Sequence, residues 1–183
     1  MPAPLPTLLT TDRLRLRAWR PEADAAVVRT LWSERDPRAR HRIDADGHPT
    51  VEEMATLLAE QLAATARTGL ALLAVQRRLE GDVIGYCGLV VGQASVEEPE
   101  IAYELLRRVH GHGYASEAAA AVLEAARSAG LARLWATVRV WNAPSLRVLD
   151  KLGFQASGRV DHDLERGDSL WLTRVLRGPA DNG

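Results

Sequence analysis

Polar and apolar residues alternate along residues 13–19, RLRLRAW, which places Leu14 and Leu16 on the same side. A repeat of two positions is typical of a β-strand with one buried face, so we predict a strand here. Residues 22–33 change to helical spacing, in which apolar side chains return every three or four positions, and Pro37 ends the pattern. A first helix is therefore predicted directly after the strand.

The next segment, residues 38–49, shows no periodicity and is interpreted as a connector. Thr50 and Glu53 then stand three positions apart, which is the spacing of a capping box, and they predict a helix that runs to about Thr68. Gly69 is a natural end for this helix. The first third of the chain is therefore predicted to be mostly helical.

The rest of the chain alternates strands with helices. Two apolar runs on either side of LEGD, residues 79–82, predict an antiparallel hairpin. Further strands are predicted at residues 100–106, 131–141, 154–160 and 169–177, and helices at residues 115–129 and 143–152. The predicted fold class is α+β in α/β/α layers, with one mixed sheet of six or seven strands and about four helices on its faces.

The chain has 183 residues, of which 46% are hydrophobic and 26% are charged, as in an ordinary globular domain. A chain of this length buries about 70% of the surface that it exposes when unfolded, so a hydrophobic core forms without disulfides. We therefore predict a single domain over residues 1–183, with residues 1–10 and 178–183 expected to fray.

Charge and cysteine content narrow the class of protein. The net charge of −1 argues against binding a polyanion such as duplex DNA, which needs a strongly basic surface. The single cysteine, Cys87, has no partner for an intramolecular disulfide, and the N-terminus lacks the pattern of a signal peptide. No apolar run reaches the ~18 residues of a membrane span. We expect a cytoplasmic protein that binds neither nucleic acid nor a membrane.

The glycine-rich segment HGHG, residues 110–113, lies between a predicted strand and a predicted helix. Main-chain amides converge at such a helix start, and glycine lets a phosphate approach the backbone. Many helices nevertheless begin after a glycine-rich turn without any ligand. The sequence contains neither GxxxxGK[ST] nor a GxGxxG that opens a dinucleotide-binding unit.

Two longer motifs carry a family resemblance. The string EIAYELLRRVHGHGYASEA, residues 100–118, and the later WNAPSLRVLDKLGF, residues 141–154, match in order and spacing a strand like EIGYWL, a loop like WGKGYATEA and an NxxSxxvlxKxGF segment. The chain therefore resembles the GNAT superfamily of acetyl-CoA-dependent N-acetyltransferases, over residues 10–177. More narrowly, it looks like the branch that includes the ribosomal-protein N-terminal acetyltransferases. The resemblance implies the GNAT fold, with a splayed pair of parallel strands.

The resemblance also implies where acetyl-CoA binds. Main-chain amides of one loop would hold the pyrophosphate of CoA. The loop positions are His110, Gly111, His112, Gly113, Tyr114 and Ala115, with Ser116 at the helix start. The motif of this branch begins with Trp, where this chain has His110. A second frame, with Arg108 in place of His110, also fits the motif, and Arg107 and Arg108 both offer charge near the phosphates.

The cofactor's pantetheine arm is placed in the same way. Leu105 matches the position whose main chain pairs with pantetheine in the family, and residues 133–140 are the opposite strand. Asn142 matches an asparagine that reaches the cofactor, and Ser145 matches a hydroxyl near its sulfur. Independently of the resemblance, Asn142 before a proline is a natural turn residue, and Ser145 is a natural helix cap.

Acetyl transfer to an amine needs a group that accepts the amine proton and one that protonates the departing thiolate. Glu100, which is similar in position to a strand glutamate used in some family members, is the first candidate for the base, and Ser145 is the candidate acid. Asp161, His162 and Asp163 are alternative bases, and Tyr103 and Tyr114 are alternative acids. No metal is expected, because the histidines lack ligand spacing.

The sequence does not distinguish between the possible classes of amine acceptor. In this fold the acceptor is held by the first two helices and the last connections, here residues 22–69 and 155–170. These segments carry the charged set Arg35, Arg38, Arg40, His41, Arg42, Asp44 and Asp46. The set suits a protein N-terminus or a small amine such as an antibiotic or polyamine. A CoA-binding sensor or interaction module without turnover stays as an alternative, and the resemblance is compatible with a homodimer.

Overall fold

Eight strands and four α-helices make up the fold in a computed structural model that describes residues 2–39 and 43–176. The strands are β1 (Leu8–Thr10), β2 (Leu14–Arg17), β3 (Leu72–Arg77), β4 (Val83–Val90), β5 (Glu100–Leu105), β6 (Arg133–Arg139), β7 (Gln155–Asp161) and β8 (Ser169–Val175). The helices are α1 (Pro21–Glu34), α2 (Val51–Thr68), α3 (Tyr114–Ser128) and α4 (Ala143–Lys151), with short 3-10 turns at Pro37–Ala39 and Arg107–Val109.

All eight strands belong to one mixed sheet with the order β1-β2-β3-β4-β5-β6-β8-β7. Every neighbouring pair is antiparallel except β5 and β6, which are parallel and joined through α3. These two strands meet only where Glu100 lies opposite Trp135, and the Trp135 amide bonds the Pro99 carbonyl. Beyond this point the two strands diverge, as the predicted splayed pair requires.

Successive residues of the central strands face opposite sides of the sheet. On β3, Leu73 and Val75 pack into a core with the alanine-rich side of α3, whereas Ala74 packs with Val28 of α1 and Met54 of α2. The helices therefore cover both faces, which confirms the predicted layers.

The second helix begins and ends where the sequence predicts. The Thr50 hydroxyl accepts the Glu53 amide, and the Glu53 carboxylate accepts the Thr50 amide, so the capping box is complete. Gly69 follows with a φ of 72°, a left-handed conformation that glycine adopts without strain. Within the described ranges, no helix is both long and apolar enough to cross a membrane.

The N-terminal segment contains a strand that the sequence does not predict. Near it, the Ala3 amide donates to the Ala129 carbonyl, and the Leu5 side chain is buried. Strand β1 pairs with β2 and brings the sheet to eight strands instead of six or seven. Three residues are too few to show a periodicity, which explains the missed strand. Residues 178–183, expected to fray, lie outside the described residues.

Candidate active site

A cavity of about 690 Å³ lies beside the end of β5 that has diverged from β6. Its walls come from the end of α1, the second half of β5, the loop before α3, the first turn of α3 and one side of α4. Most of the residues that the resemblance assigns to the cofactor or to catalysis line it. They are Leu105, His110, Gly111, Gly113, Tyr114, Ala115, Ser116, Asn142 and Ser145.

The loop before α3 presents a row of unused main-chain donors. The amides of residues 111–116 have no hydrogen-bond acceptor within the described chain, whereas the Glu117 amide already bonds the Gly113 carbonyl. Gly113 precedes α3 with a φ of 79°, and no side chain caps this helix. Free amides at the positive end of a helix form an anion-binding site.

Neighbouring side chains hold this loop in its shape. The Arg13 guanidinium donates to the His112 carbonyl at 2.9 Å. His112 itself does not line the cavity, and its ring stacks on Tyr114 with the ring centroids 5.9 Å apart. His110 donates from Nε2 to the Leu105 carbonyl at 2.8 Å, which joins the loop to the end of β5. The protein therefore fixes the position of the loop through its own contacts.

Two basic side chains of α4 line the cavity beside the loop. Arg147 and Lys151 stand one helical turn apart, and neither has an ion pair within the described chain. Arg108 differs, because it pairs with Asp82 at 2.7 Å and does not line the cavity. Hydrogen bonds from Arg77 and then from Arg108 lower the pKa of Asp82 to about 2, so the charge of Arg108 is already matched. This geometry favours the motif frame that begins at His110.

Glu100, the first candidate for the base, lies at the end of β5 that is joined to β6. It is only 8% exposed and does not line the cavity. Its carboxylate accepts the Gln93 amide at 2.6 Å. Because a base must reach its proton directly or through one water, this placement favours a structural role, and the assignment of Glu100 as the base stays a prediction.

The three alternative bases are also occupied elsewhere. Asp161 accepts the Trp171 indole N–H at 2.6 Å, and the His162 ring lies 2.9 Å from the Asp168 carboxylate. Asp163 accepts main-chain amides of its own turn. None of the three lines the cavity. The part of the chain that the structure describes also contains no group of three His, Cys, Asp or Glu side chains arranged to hold a metal ion.

The start of α4 brings Asn142 and Ser145 together. Asn142 Oδ1 accepts the Ser145 amide at 3.2 Å, so Asn142 caps the helix, and the interpretation of Ser145 as the cap is corrected. The Tyr103 hydroxyl donates to the Ser145 carbonyl at 3.2 Å. Burial raises the pKa of Tyr103 to about 12, so this hydroxyl stays protonated near neutral pH.

Sequence reasoning missed a charged cluster on the opposite wall. Glu104 of β5 lines the cavity and accepts two short hydrogen bonds from Arg35, at the end of α1, and one from the Tyr86 hydroxyl of β4. The signal for it was an ionisable residue at the strand position where the motif EIGYWL has tryptophan. The cluster gives the cavity a carboxylate on the side of the first helix.

The connection after α1 forms part of the cavity rim. Arg38, held by the Asp36 carboxylate at 2.9 Å, lies 4.1 Å above the ring of Trp141, which lines the cavity. This contact joins the α1–α2 connection to the turn before α4. Of the other charged residues expected near the acceptor, Asp44 and Asp46 do not line the cavity, and Arg40, His41 and Arg42 lie outside the described residues.

Comparison with known proteins relates this chain to a family. The family described as acetyltransferase (GNAT) domain matches residues 13–155. An uncharacterized N-acetyltransferase, p20, of Bacillus licheniformis is 30% identical over 163 residues, which cover 87% of this chain and 89% of that protein.

Solved structures agree with the sequence match. A protein from Bordetella pertussis assigned as a GNAT-family acetyltransferase has a TM-score of 0.73 and 25% identity, covering 92% of this chain and 99% of its own. A protein from Salmonella typhimurium assigned as an acetyltransferase, solved with its cofactor acetyl-CoA, has a TM-score of 0.70 and 18% identity, covering 91% and 96%. Because the family match spans every element that builds the cavity, this chain belongs to the GNAT family of acetyltransferases.

Proposed function

We propose that this protein is an acetyl-CoA-dependent N-acetyltransferase that moves an acetyl group directly to a primary amine. The observation that carries the proposal is the row of six unused amides at residues 111–116, at the positive end of α3. Such a row binds a pyrophosphate through its backbone. Family membership, and the acetyl-CoA bound to the relative from Salmonella typhimurium, support the same cosubstrate.

The other parts of CoA have suitable partners along the cavity. The pantetheine arm carries amides, as a short strand does. It fits between β5 and β6 beyond Glu100, where the two strands are not hydrogen-bonded to each other. The Leu105 carbonyl accepts one bond from His110 and keeps a second lone pair for this arm, and Asn142 lies in the cavity wall nearby. We assign the 3′-phosphate to Arg147 and Lys151.

The transfer needs one proton donor on the side of the sulfur. The amine nitrogen attacks the thioester carbon, the C–N bond forms, the C–S bond breaks, and the departing CoA thiolate takes a proton. We assign that proton to the Ser145 hydroxyl, with Tyr103 and Tyr114 as competing hydroxyls in the same cavity. Holding both substrates in one cavity supplies much of the rate.

The acceptor belongs to one of two classes, a protein N-terminal amine or a small amine such as an antibiotic or polyamine. Both reach the cavity from the side of α1, where Arg35 and Glu104 form part of the wall. The proposal places the enzyme in the cytoplasm, where acetyl-CoA and both classes of acceptor are present, and it is compatible with a homodimer.

Calorimetric titration with acetyl-CoA and with CoA tests the proposal first. We expect binding in the micromolar range, retained in Ser145→Ala and abolished in Gly113→Trp, because a side chain at Gly113 blocks the backbone and strains a φ of 79°. Release of free thiol is then measured with an amine panel: peptides that begin with alanine or serine, spermidine and an aminoglycoside.

The outcomes separate the alternatives. Thiol release with one member of the panel establishes the transferase and names its acceptor class. Binding of acetyl-CoA without release from any amine favours a CoA-binding sensor or interaction module. Absence of binding to a protein whose circular dichroism shows it to be folded overturns the proposal.

A further inference from the structure

Glu104 is held in one orientation by three hydrogen-bond donors. The Arg35 Nε donates to Oε1 at 2.8 Å and, more weakly, to Oε2 at 3.0 Å, while Nη2 donates to Oε2 at 2.6 Å. The Tyr86 hydroxyl donates to Oε2 at 2.9 Å. The side chains of Arg35 and Glu104 are 17% and 23% exposed, so the carboxylate is sheltered but still open to the cavity.

These bonds use the two oxygens unequally. A carboxylate has about four acceptor positions, two on each oxygen. Oε2 accepts the Arg35 Nη2 and the Tyr86 hydroxyl, which fill its two positions, and the Arg35 Nε is shared between the two oxygens and lies nearer Oε1. One acceptor position on Oε1 is therefore left for a donor that enters the cavity.

The neighbours of Glu104 keep their own protons. Burial opposes the charge of Arg35, but the hydrogen bond and attraction of Glu104 outweigh it and raise the pKa of Arg35. Burial, and then the Glu104 charge, raise the pKa of Tyr86. Arg35 and Tyr86 thus act as fixed donors, and Glu104 is the member of the cluster that can take a proton.

Glu104 and Ser145 approach the cavity from opposite sides of the sheet. Tyr103 touches Ser145 of α4, and the next residue, Glu104, points to the other face, where it meets Arg35 of α1. A proton acceptor and a proton donor on opposite sides of one cavity suit a reaction in which the amine loses a proton and the sulfur gains one.

We propose that Glu104 is a catalytic residue that holds the acceptor amine through Oε1 and takes its proton. This inference rests on the proposed function and deepens it. An N–H of the amine donates to Oε1 as the nitrogen attacks; as the C–N bond forms, that proton moves to Oε1, and as the C–S bond breaks, the thiolate takes the proton assigned to Ser145. Glu104 then gives its proton to water and Ser145 takes one back from water, so both side chains return to their starting state.

A contribution to stability alone does not explain the ion pair of Arg35 and Glu104. A partly buried ion pair contributes little or nothing beyond an apolar pair of the same size. The motif to which this strand is similar has tryptophan here, an apolar residue that would fill the same wall. Arg35 and Tyr86 together orient Glu104, which is the arrangement that a reactive carboxylate needs.

The test compares Glu104→Gln with the wild type, using the panel amine that the wild type acetylates fastest. We expect kcat/KM for the amine to fall by about 100-fold or more, with the Kd of acetyl-CoA within about twofold. The loss should lie mainly in kcat rather than in the KM for the amine, because the carboxylate takes the proton during the reaction. Glu104→Asp should restore part of the activity, and Glu124→Gln, on the exposed side of α3, should behave as wild type.

Glu100→Gln makes the same chemical change at the buried end of the same strand and tests the competing assignment. If it lowers kcat/KM while Glu104→Gln does not, the assignment of Glu104 is wrong. The inference also fails if Glu104→Gln changes only the KM for the amine, or loses activity only together with acetyl-CoA binding and thermal stability. A wild type that binds no acetyl-CoA overturns the proposed function itself, and this inference with it.

Discussion

The movement of protons in the cavity depends on which single groups keep their charge. Burial holds the pKa of Tyr103 at about 12, and burial with the Glu104 charge also raises the pKa of Tyr86. Both phenols therefore stay protonated near neutral pH and serve as hydrogen-bond donors. The proposed reaction assigns the proton transfers to Ser145 and Glu104, with Tyr103 and Tyr114 as the competing donors to the sulfur.

The single thiol should be inert in the folded protein. Cys87 is fully buried in β4, and burial raises the pKa of its thiol, so neither access nor the reactive thiolate is available. We expect no reaction with Ellman's reagent under native conditions and one thiol per chain in guanidinium. Rapid labelling of the native protein would contradict this. The thiol-release assay should therefore show no background from the enzyme.

His48 should titrate above its ordinary pKa. Its ring lies 2.8 Å from the Glu53 carboxylate, and this hydrogen bond raises the pKa of His48 above 6.5. A raised pKa means that the ion pair stabilises the fold fully below pH 6.5 and is lost as the pH rises through the folded-state pKa.

The titration of the His48 ring by NMR checks this. Glu53→Gln should lower the midpoint towards 6.5 and leave α2 intact, because glutamine also completes a capping box. Equal midpoints in the wild type and in Glu53→Gln would show that Glu53 does not raise the pKa of His48.

Glu100 and Glu104 mark the limit of sequence reasoning at this scale. Both are glutamates of one strand, and although Glu104 departs from the motif, the sequence does not show which of the two reaches the cavity. What separates them is the point at which β5 leaves β6, because Glu100 lies at the joined end and Glu104 lies beyond it. This divergence depends on contacts between segments far apart in the chain. The loop residues could be predicted because their glycines and the helix that follows are neighbours in sequence.

Helices α2 and α3 differ in how their ends are capped. The chain closes α2 with its own residues, Thr50 and Glu53 at the start and Gly69 at the end. The start of α3 has no side-chain cap, although Gly113 and Ser116 lie in the cavity wall. Since helix ends need partners for their first amides, an uncapped start inside a cavity indicates a ligand.

Removal of the cap of α2 should cost a measurable amount of stability. Thr50→Ala deletes the hydroxyl that accepts the Glu53 amide at 3.1 Å, and we expect a loss of about 1 kcal/mol in the free energy of unfolding in urea. The control is Thr56→Ala, in the middle of the same helix, which should not destabilise because alanine has the higher helix propensity. Equal losses in both variants would argue against the capping role.

Arg147 and Lys151 of α4 should make the protein bind CoA more tightly than dephospho-CoA, which lacks the 3′-phosphate. We expect the wild type to bind dephospho-CoA about tenfold more weakly than CoA, because charge-assisted bonds from Arg147 and Lys151 are lost. The double variant Arg147→Ala/Lys151→Ala should bind both ligands alike by calorimetry. Arg127→Ala, at the far end of α3, should keep the wild-type ratio. Equal affinity of the wild type for CoA and dephospho-CoA would contradict the assignment of the 3′-phosphate to Arg147 and Lys151.

Most elements could be predicted because their signals are local. Thr50, Glu53 and Gly69 place α2 to within a residue, and the LEGD turn places the β3–β4 hairpin. Strand β1 escaped prediction because its three residues gain their order from β2 rather than from a pattern of their own. The assignment of Asn142 rather than Ser145 as the cap of α4 also needed coordinates, since both residue types favour that position.

At the scale of the whole molecule, the sheet consists of two parts that share one short junction. Strands β1 to β5 form one part and β6 to β8 the other, and among the described residues Glu100 and Trp135 are the one register pair that joins them. The cavity lies along the line where the parts separate, with α1, α3 and α4 contributing to its walls. A ligand in this cavity contacts β5 of the first part and helix α4, which connects β6 to β7 of the second part.

Acetyl-CoA should therefore raise the thermal stability of the whole domain. At a concentration 100-fold above its Kd, a ligand specific for the folded state adds about 2.7 kcal/mol. For a chain of this length we expect Tm to rise by about 5–10 °C. Differential scanning fluorimetry measures the shift, and ATP serves as a phosphate-bearing control that should have no such effect. A shift of equal size with ATP would point to general anion binding.

The facing edges of β5 and β6 have a further consequence for how the protein avoids wrong partners. Unpaired strand edges on a protein surface are places where other chains add and aggregation begins. Here the free part of the β5 edge borders a cavity walled by α1 and α4. Covering an edge with helices is one way in which proteins keep other chains from adding to it. The helices that build the cavity thus also shield the backbone hydrogen-bonding groups that the diverging strands leave unpaired.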